Sequence, residues 1–284
     1  MASLQDIRHR IKSVKSTRQI TSAMNMVATS RLRRAKEAAN ANRPYAEKVM
    51  EVVNEIASNA GADFSHPLLK KHETGKRLIL VVTADKGLAG AYTSNACKMA
   101  ESLIEDKANT QLIVCGRRGV SHFVSRGYDV VGEYTGFSDH PDFESARRIA
   151  INVIERFQSG DVKDVFMVWT KFISAISCEA QATQLLPFQN VKTEDAGIHT
   201  EYIYEPDAAT VLGFLLPQYL YTTVYASFLQ SAASEVSSRM NAMSNATDNA
   251  DDLMHKLDLY YNKVRQAGIT TELTEIVGGA AALE

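Results

Sequence analysis

The sequence predicts an α/β fold of two parts, an antiparallel coiled coil made by the N- and C-terminal helices and a Rossmann-like open sheet between them. Three observations carry this expectation. Apolar residues step by three and four along both ends, as Leu4, Ile7, Ile11, Val14, Ile20, Met24 and Val27, and again from Val236 through Met240, Met243, Ala246, Ala250, Leu253, Leu257, Tyr260, Val264 and Ala267. The first proline is Pro44 and the last is Pro217, so few breakers interrupt those ends. Between them, short apolar runs alternate with helical patterns, the signature of strand-helix-strand units.

The first helix is expected from about Ser3, a suitable N-cap, to the break at Ala60 and Gly61, with a bend at Pro44. A polar linker covers residues 66–76. Residues 78–83 (LILVVT) form a continuous apolar run, as in a strand buried on both faces. A glycine-containing loop at 84–90 leads to a helix near 91–106. Residues 111–115 (QLIVC) give a second strand, and a turn and helix follow over 116–125. Residues 128–134 form a weaker strand, 143–158 a helix, and 164–170 (DVFMVWT) a strong strand. Residues 177–187 and 201–204 are expected as further, antiparallel strands. The last helix starts at Asp207, an N-cap, with a bend expected at Gly213 and Pro217. The division is therefore 1–60 as the first coiled-coil helix, 76–205 as the Rossmann-like domain, and 207–284 as the helix that pairs with 1–60.

Fully helical ends would span roughly 80 and 110 Å at 1.5 Å per residue, too long for the interior of one globular domain. Each apolar stripe needs a cover, and each end is the other's natural partner. Their charges agree: residues 1–36 carry Arg8, Arg10, Lys12, Lys15, Arg18, Arg31, Arg33, Arg34 and Lys36 against Asp6 alone, while acids outnumber bases after Met240. Exposed pairs contribute only about 0.2–1 kcal/mol each, so apolar packing has to do most of the joining.

The bulk composition excludes several classes. With 45% hydrophobic and 23% charged residues in 284, the chain has the make-up of a soluble protein, or of one peripheral to a membrane. No segment offers the 18 or more apolar residues of a span, and no apolar core of a signal peptide lies in residues 1–12. Three cysteines, Cys97, Cys115 and Cys178, without CxxC spacing are expected as reduced thiols.

No motif advertises an active site. The turn DKGLAG from Asp85 to Gly90 follows the first strand but fits neither GxGxxG nor GxxxxGK[ST], and its acid stands where a phosphate would approach. The turn GRRG from Gly116 to Gly119 could meet an anion, but a solvated helix start explains it as well. None of the seven histidines has metal-ligand spacing or a nucleophile beside it. No catalytic, cofactor or metal residue is therefore expected. The collar of Arg31, Arg33, Arg34 and Lys36 admits three readings: a solvated face, a nucleic-acid contact, or a contact with an acidic protein. The lack of any aromatic residue before Tyr45 weighs against nucleic acid.

The C-terminal stretch 269–283 is small, uncharged around Gly278 and Gly279, and costly as an isolated helix, by about 1 kcal/mol per glycine. It is expected to be a helix tip enclosed by other subunits. Ile269, Thr270, Glu272, Glu275, Gly279, Ala280 and Ala282 meet the pattern I-T-x-E-x-x-[DE]-x-x-x-G-A-x-[SAKR]. With RMNAMSNATDNA from Arg239, YNKVRQA from Tyr261, SVKxTRQITxAM from Ser13 and the DKGLAG turn, the chain closely resembles the γ subunit of F-type ATP synthases of bacterial type.

That resemblance implies a central rotor shaft, itself non-catalytic, that transmits torque from a proton-driven c-ring to three catalytic β subunits. The implied partners are three α and three β subunits, the ε subunit and the c-ring. Nucleic acid is not among them, and membrane contact comes only through the c-ring. Its implied place is peripheral, on the cytoplasmic side of the cell membrane. Residue by residue, the resemblance assigns Met24, Arg31, Arg33, Arg34, Arg239, Gln266, Thr270 and Glu272 to contacts with β, the collar facing an acidic helix-turn-helix. It assigns Tyr202, Tyr204 and Glu205 (YIYEP) to the c-ring and ε. Residues 169–206 hold only Cys178, so thiol regulation of the chloroplast kind is not expected. Two rivals remain at this stage. A Rossmann-like dehydrogenase or transferase with helical extensions requires nucleotide binding by the isolated chain. A basic coiled-coil nucleic-acid binder requires steeply salt-dependent DNA affinity.

Overall fold

Continuous apolar stripes with few breakers produce two very long helices, α1 (Leu4–Asn59) and α5 (Ala208–Ala281), each running on through its internal proline, Pro44 or Pro217. The structure, a computed structural model, describes residues 4–59, 66–188, 205 and 207–281. The expected N-cap at Ser3 and strand at 201–204 fall outside them. Between the helices lie β1 (Lys76–Val82), α2 (Tyr92–Ser102), β2 (Thr110–Cys115), α3 (Arg117–Val124), β3 (Asp129–Tyr134), α4 (Phe143–Gln158), β4 (Val162–Phe172) and β5 (Cys178–Leu186). The expected alternation of strand and helix is present, with α2 ending four residues early. The chain divides into two compact units, Met1–Ala28 with Met240–Glu284, and Thr29–Arg239.

In the first unit the two helices pair antiparallel. Thr21 and Thr247 share a hydroxyl hydrogen bond at 2.8 Å, Arg18 pairs with Asp251, and Arg8 donates to the Tyr261 hydroxyl. Ten residues back along α1, from Arg18 to Arg8, match ten forward along α5, from Asp251 to Tyr261. Buried or half-buried positions of α1 in this unit include Leu4, Ile7, Ile11, Val14, Arg18, Thr21, Asn25 and Ala28, a series that alternates steps of three and four. On α5 the corresponding series is Met243, Thr247, Ala250, Met254, Leu257, Tyr261, Val264 and Gly268, again alternating. A repeat of 3.5 keeps one seam facing the partner helix.

The seam keeps the expected Leu4, Ile7, Ile11 and Val14 of α1 and Met243, Ala250, Leu257 and Val264 of α5, and moves other expected positions by one residue. Ile20 and Val27 are 58% and 52% exposed, and Leu253 and Tyr260 are likewise outside it. Thr21, Ala28, Met254 and Tyr261 take the inward places. The middle of the seam is polar because its hydroxyls and its Arg-Asp pair find partners across the pair of helices.

The second unit is a five-stranded sheet of order β3-β2-β1-β4-β5. β1 pairs parallel with β2 and β4, β2 parallel with β3, and β4 antiparallel with β5. Period-two alternation sends Leu78, Leu80 and Val82 to one face and Ile79 and Val81 to the other. The first face packs on Ile149, Val153 and Phe157 of α4, Val53 and Ile56 of α1, and Leu212, Leu216, Leu220, Val224 and Phe228 of α5. The second packs on Cys97 and Ala100 of α2 and Phe123 of α3. Burial on both faces is why β1 reads as an unbroken apolar run.

Small hydroxyl side chains bring α5 close to the end of β4. The Thr170 amide donates to Ser231 Oγ at 3.1 Å, Ser234 Oγ donates to the Thr170 carbonyl, and Ser237 Oγ donates to the Ala175 carbonyl at 2.6 Å. Two helix starts are capped by aspartates: Asp142 accepts from the Ser145 amide, and Asp207, the expected N-cap, from the Thr210 amide, each at 2.8 Å.

Phe157 is fully buried and meets His72 edge-on at a centroid distance of 4.7 Å. Phe157→Ala is expected to cost about 3–5 kcal/mol through lost transfer energy and an unfilled cavity. Chemical denaturation of the full chain checks this, and a loss below about 1 kcal/mol contradicts it.

Candidate partner-contact site

The arginine collar flanks Leu32 on α1, which faces inward at 9% exposed. Arg33 and Arg34 therefore point to solvent, with Lys36. Arg31 is half-buried and bonds Asp139 Oδ2 at 3.1 Å. Met24 is half-buried in the first unit.

Asp139, in the loop between β3 and α4, gathers cations from three elements. Besides Arg31 of α1 it pairs with Lys86, from the DKGLAG turn, and with Arg239 of α5 at 3.7 Å. Arg239 is 9% exposed, and it donates to Glu235 Oε1 at 2.5 Å and to the Gly87 carbonyl at 3.4 Å. Burial alone would raise Asp139, but the hydrogen bond and charge of Lys86, with the charges of Arg239 and Arg31, hold its carboxyl below the usual range. Glu235 is 1% exposed, and burial pushes its carboxyl up to about 6 even though Arg239 opposes the rise. Its Oε2 and Asp139 Oδ1 are buried without a hydrogen-bond partner. The structure thus joins Arg31 and Arg239 through Asp139, a residue with no signature in the sequence. The Glu235-Arg239 spacing of four on one helix was a legible signal.

The other place to seek chemistry is the carboxyl end of β1, where β2 lies to one side and β4 to the other. Open α/β sheets bind ligands at such a switch point. Here the Asp85 carboxylate accepts from the amides of Arg117, Gly136 and Ser138 at 3.1, 2.8 and 3.2 Å. An internal carboxylate thus uses the start of α3 and the β3-α4 loop as a phosphate would. Gly116, at φ +100°, has no room for a side chain against the Thr83 carbonyl. The Thr83 hydroxyl donates to the Cys115 carbonyl at 2.7 Å and accepts from the Gly119 amide at 3.1 Å. The glycines of this turn serve internal packing. Among the described residues, no group of three His, Cys, Asp or Glu is arranged to hold a metal.

From Ile269 to Ala280 every residue of α5 is exposed. Ile269, Leu273, Ile276 and Val277 are 50–68% exposed. Gln266, Thr270 and Glu272 share this open surface. The hydroxyls of Thr270, Thr271 and Thr274 donate to carbonyls one turn back, so the helix satisfies its own threonines. Glu205 is exposed, while Tyr202 and Tyr204 lie outside the described residues. Burial pushes the thiols of Cys97 and Cys115 upward, so both stay protonated. Among the described residues, no helix is long and apolar enough to cross a membrane.

Comparison with known proteins matches this arrangement. A family model described as ATP synthase covers residues 3–283. The chain is 43% identical to the ATP synthase gamma chain of Desulforamulus reducens across the full length of both. It is 40% identical to the sodium ion specific ATP synthase gamma chain of Acetobacterium woodii, over 99% of each. In the central stalk and c-ring structure of Tetrahymena thermophila mitochondrial ATP synthase, one chain superposes with a TM-score of 0.61 at 25% identity, covering 80% of this chain and 99% of that one. A chain of the Euglena gracilis mitochondrial ATP synthase, in its third rotational state, shares the fold with a TM-score of 0.68 at 16% identity, covering 99% and 94%.

The raised Glu235 carboxyl fixes a pH dependence. The folded chain keeps this proton up to about pH 6, whereas the unfolded chain releases it near 4.5, so Glu235 makes stability fall as pH rises across that window. Relative to Glu235→Gln, the wild type should lose on the order of 2 kcal/mol between about pH 4.5 and 6. Thermal midpoints of both proteins across pH 4–8 check this. A difference that does not change with pH contradicts it.

Proposed function

This chain belongs to the ATP synthase gamma chain family, and on that footing we propose how its surfaces perform the family's work. It is the non-catalytic central shaft of an F-type ATP synthase, which carries torque between the proton-driven ring and the catalytic β subunits. The observation that carries this reading is the antiparallel seam of α1 and α5, with the bare apolar end of α5 past Gly268. A helix end carrying Ile269, Leu273, Ile276 and Val277 in the open would be poorly tolerated in water and well suited to an apolar sleeve.

The sleeve, in this reading, is a ring of three α and three β subunits. Gln266, Thr270 and Glu272 give polar contacts to its loops. Arg239, held by Glu235 and the Gly87 carbonyl, is the fourth of these contacts with β. Met24 with Arg31, Arg33 and Arg34 meets the acidic helix-turn-helix of β, where charge complementarity serves steering and register more than adhesion. Tyr202, Tyr204 and Glu205 touch the c-ring and ε. The shaft is peripheral, on the cytoplasmic side, and reaches the membrane only through the c-ring. Its working parts are the helices 1–60 and 207–284 and the Rossmann-like domain 76–205. The enzyme reading is disfavoured by the Asp85 carboxylate, which already occupies the anion-binding amides at the switch point.

One charge crossing 100 mV yields about 2.3 kcal/mol, so several protons must contribute to each ATP through one shaft. That work passes only if the seam neither slips nor melts. A proline at Leu257 or Val14, both half-buried seam positions, removes a backbone bond and breaks the helix at a cost of about 3 kcal/mol or more. Complexes reconstituted with Leu257→Pro or Val14→Pro should lose ATP-driven proton pumping, as read by a pH-sensitive dye in vesicles. Wild-type pumping in either variant contradicts the torque-bearing role.

A further inference from the structure

The collar is not uniform: Arg33 and Arg34 face solvent, while Arg31 is bound to the chain's own Asp139. We propose that Asp139 is a positioning residue, an internal latch that holds Arg31 and competes with the acidic partner segment for its guanidinium. This rests on the reading that the collar meets an acidic surface of β.

Three features of the site support a latch. Its carboxylate is fixed in place. The loop before it is pinned where the Gly136 and Ser138 amides donate to Asp85, and the Asp85 amide donates back to Ser138 Oγ at 3.1 Å. Phe137 of the same loop packs on Phe228 of α5 at 5.4 Å between ring centroids. Asp139 is also surrounded by surplus positive charge. Arg31, Lys86 and Arg239 converge on it, and Glu235 is the one other acid bonded to these cations among the described residues. Losing one cation therefore leaves its charge balanced.

Arg31, finally, is the cation able to leave. Its side chain is 39% exposed, against 11% for Arg239, whose guanidinium is divided among Glu235, Gly87 and Asp139. Lys86, 59% exposed, comes from a turn rather than from the collar. Arg31 has one hydrogen bond to give up, and a half-exposed ion pair is weak enough to be exchanged for an external carboxylate.

The latch predicts which changes matter to binding. Full-length wild type, Asp139→Asn, Asp139→Glu, Arg31→Gln and the Asp139→Asn/Arg31→Gln double variant are compared for affinity to an assembled ring of three α and three β subunits. Affinity is followed across a salt series, with the thermal midpoint of each free chain measured in parallel. Asp139→Asn should tighten binding about two- to five-fold at low salt and make affinity fall more steeply with salt, because a collar cation is released. Asp139→Glu should restore wild-type behaviour. In the Arg31→Gln background, Asp139→Asn should change nothing, whatever it does to the thermal midpoint. If Arg31→Gln weakens binding while Asp139→Asn leaves affinity and salt dependence unchanged, the latch is wrong and the collar contact stands. If neither substitution changes binding, the collar contact at Arg31 fails and the latch with it. Equal weakening by Asp139→Asn with and without Arg31 assigns it a purely structural role and also overturns the latch.

Discussion

A long helix with one narrow apolar stripe needs a cover in water, and this chain meets that constraint by pairing residues 4–28 of α1 with residues 243–268 of α5. The seam recurs every 3.5 residues on both helices, from Leu4 to Ala28 and from Met243 to Gly268. Its apolar places exclude water, while its central Arg18, Thr21 and Thr247 fix register through bonds that a one-residue slip would break. Polar groups inside a helix pair typically give up some stability for a unique alignment. In a part that must turn without slipping, alignment matters more than adhesion.

The second unit uses the same helices for a different purpose. There α5 buries Leu212, Leu216, Leu220, Val224 and Phe228 against strands and α1, and its column of serines lets its backbone approach β4. The sheet has the topology of a nucleotide-binding fold, yet its anion-binding amides serve Asp85 and its glycine at 116 serves Thr83. Fold alone would have suggested an enzyme; the contents of the switch point argue for a structural part.

Much of this was legible in the residues. Continuous runs such as LILVVT gave the buried strands, and the sparse prolines gave the helix spans to within a few residues. Part of the coiled-coil column was misread because the apolar Ile20 and Val27 look like core, whereas Thr21 and Ala28 fill it. Apolarity alone cannot distinguish a residue that faces a partner helix from one left bare for another molecule. The network around Asp139 was invisible for another reason: Arg31, Lys86, Asp139 and Arg239 come from four separate parts of the chain, and only tertiary folding brings them together.

If torque passes through α1 and α5 as one body, joining them covalently at the seam should do no harm. Thr21 and Thr247 touch across it, so a Thr21→Cys/Thr247→Cys chain can be oxidised to a disulfide within the assembled complex. ATP-driven proton pumping, measured before and after oxidation and again after reduction, should remain near its starting level with the cross-link in place. Loss of pumping on oxidation and its return on reduction would mean that the two helices must move against each other, and a shaft of two helices turning together would be the wrong description.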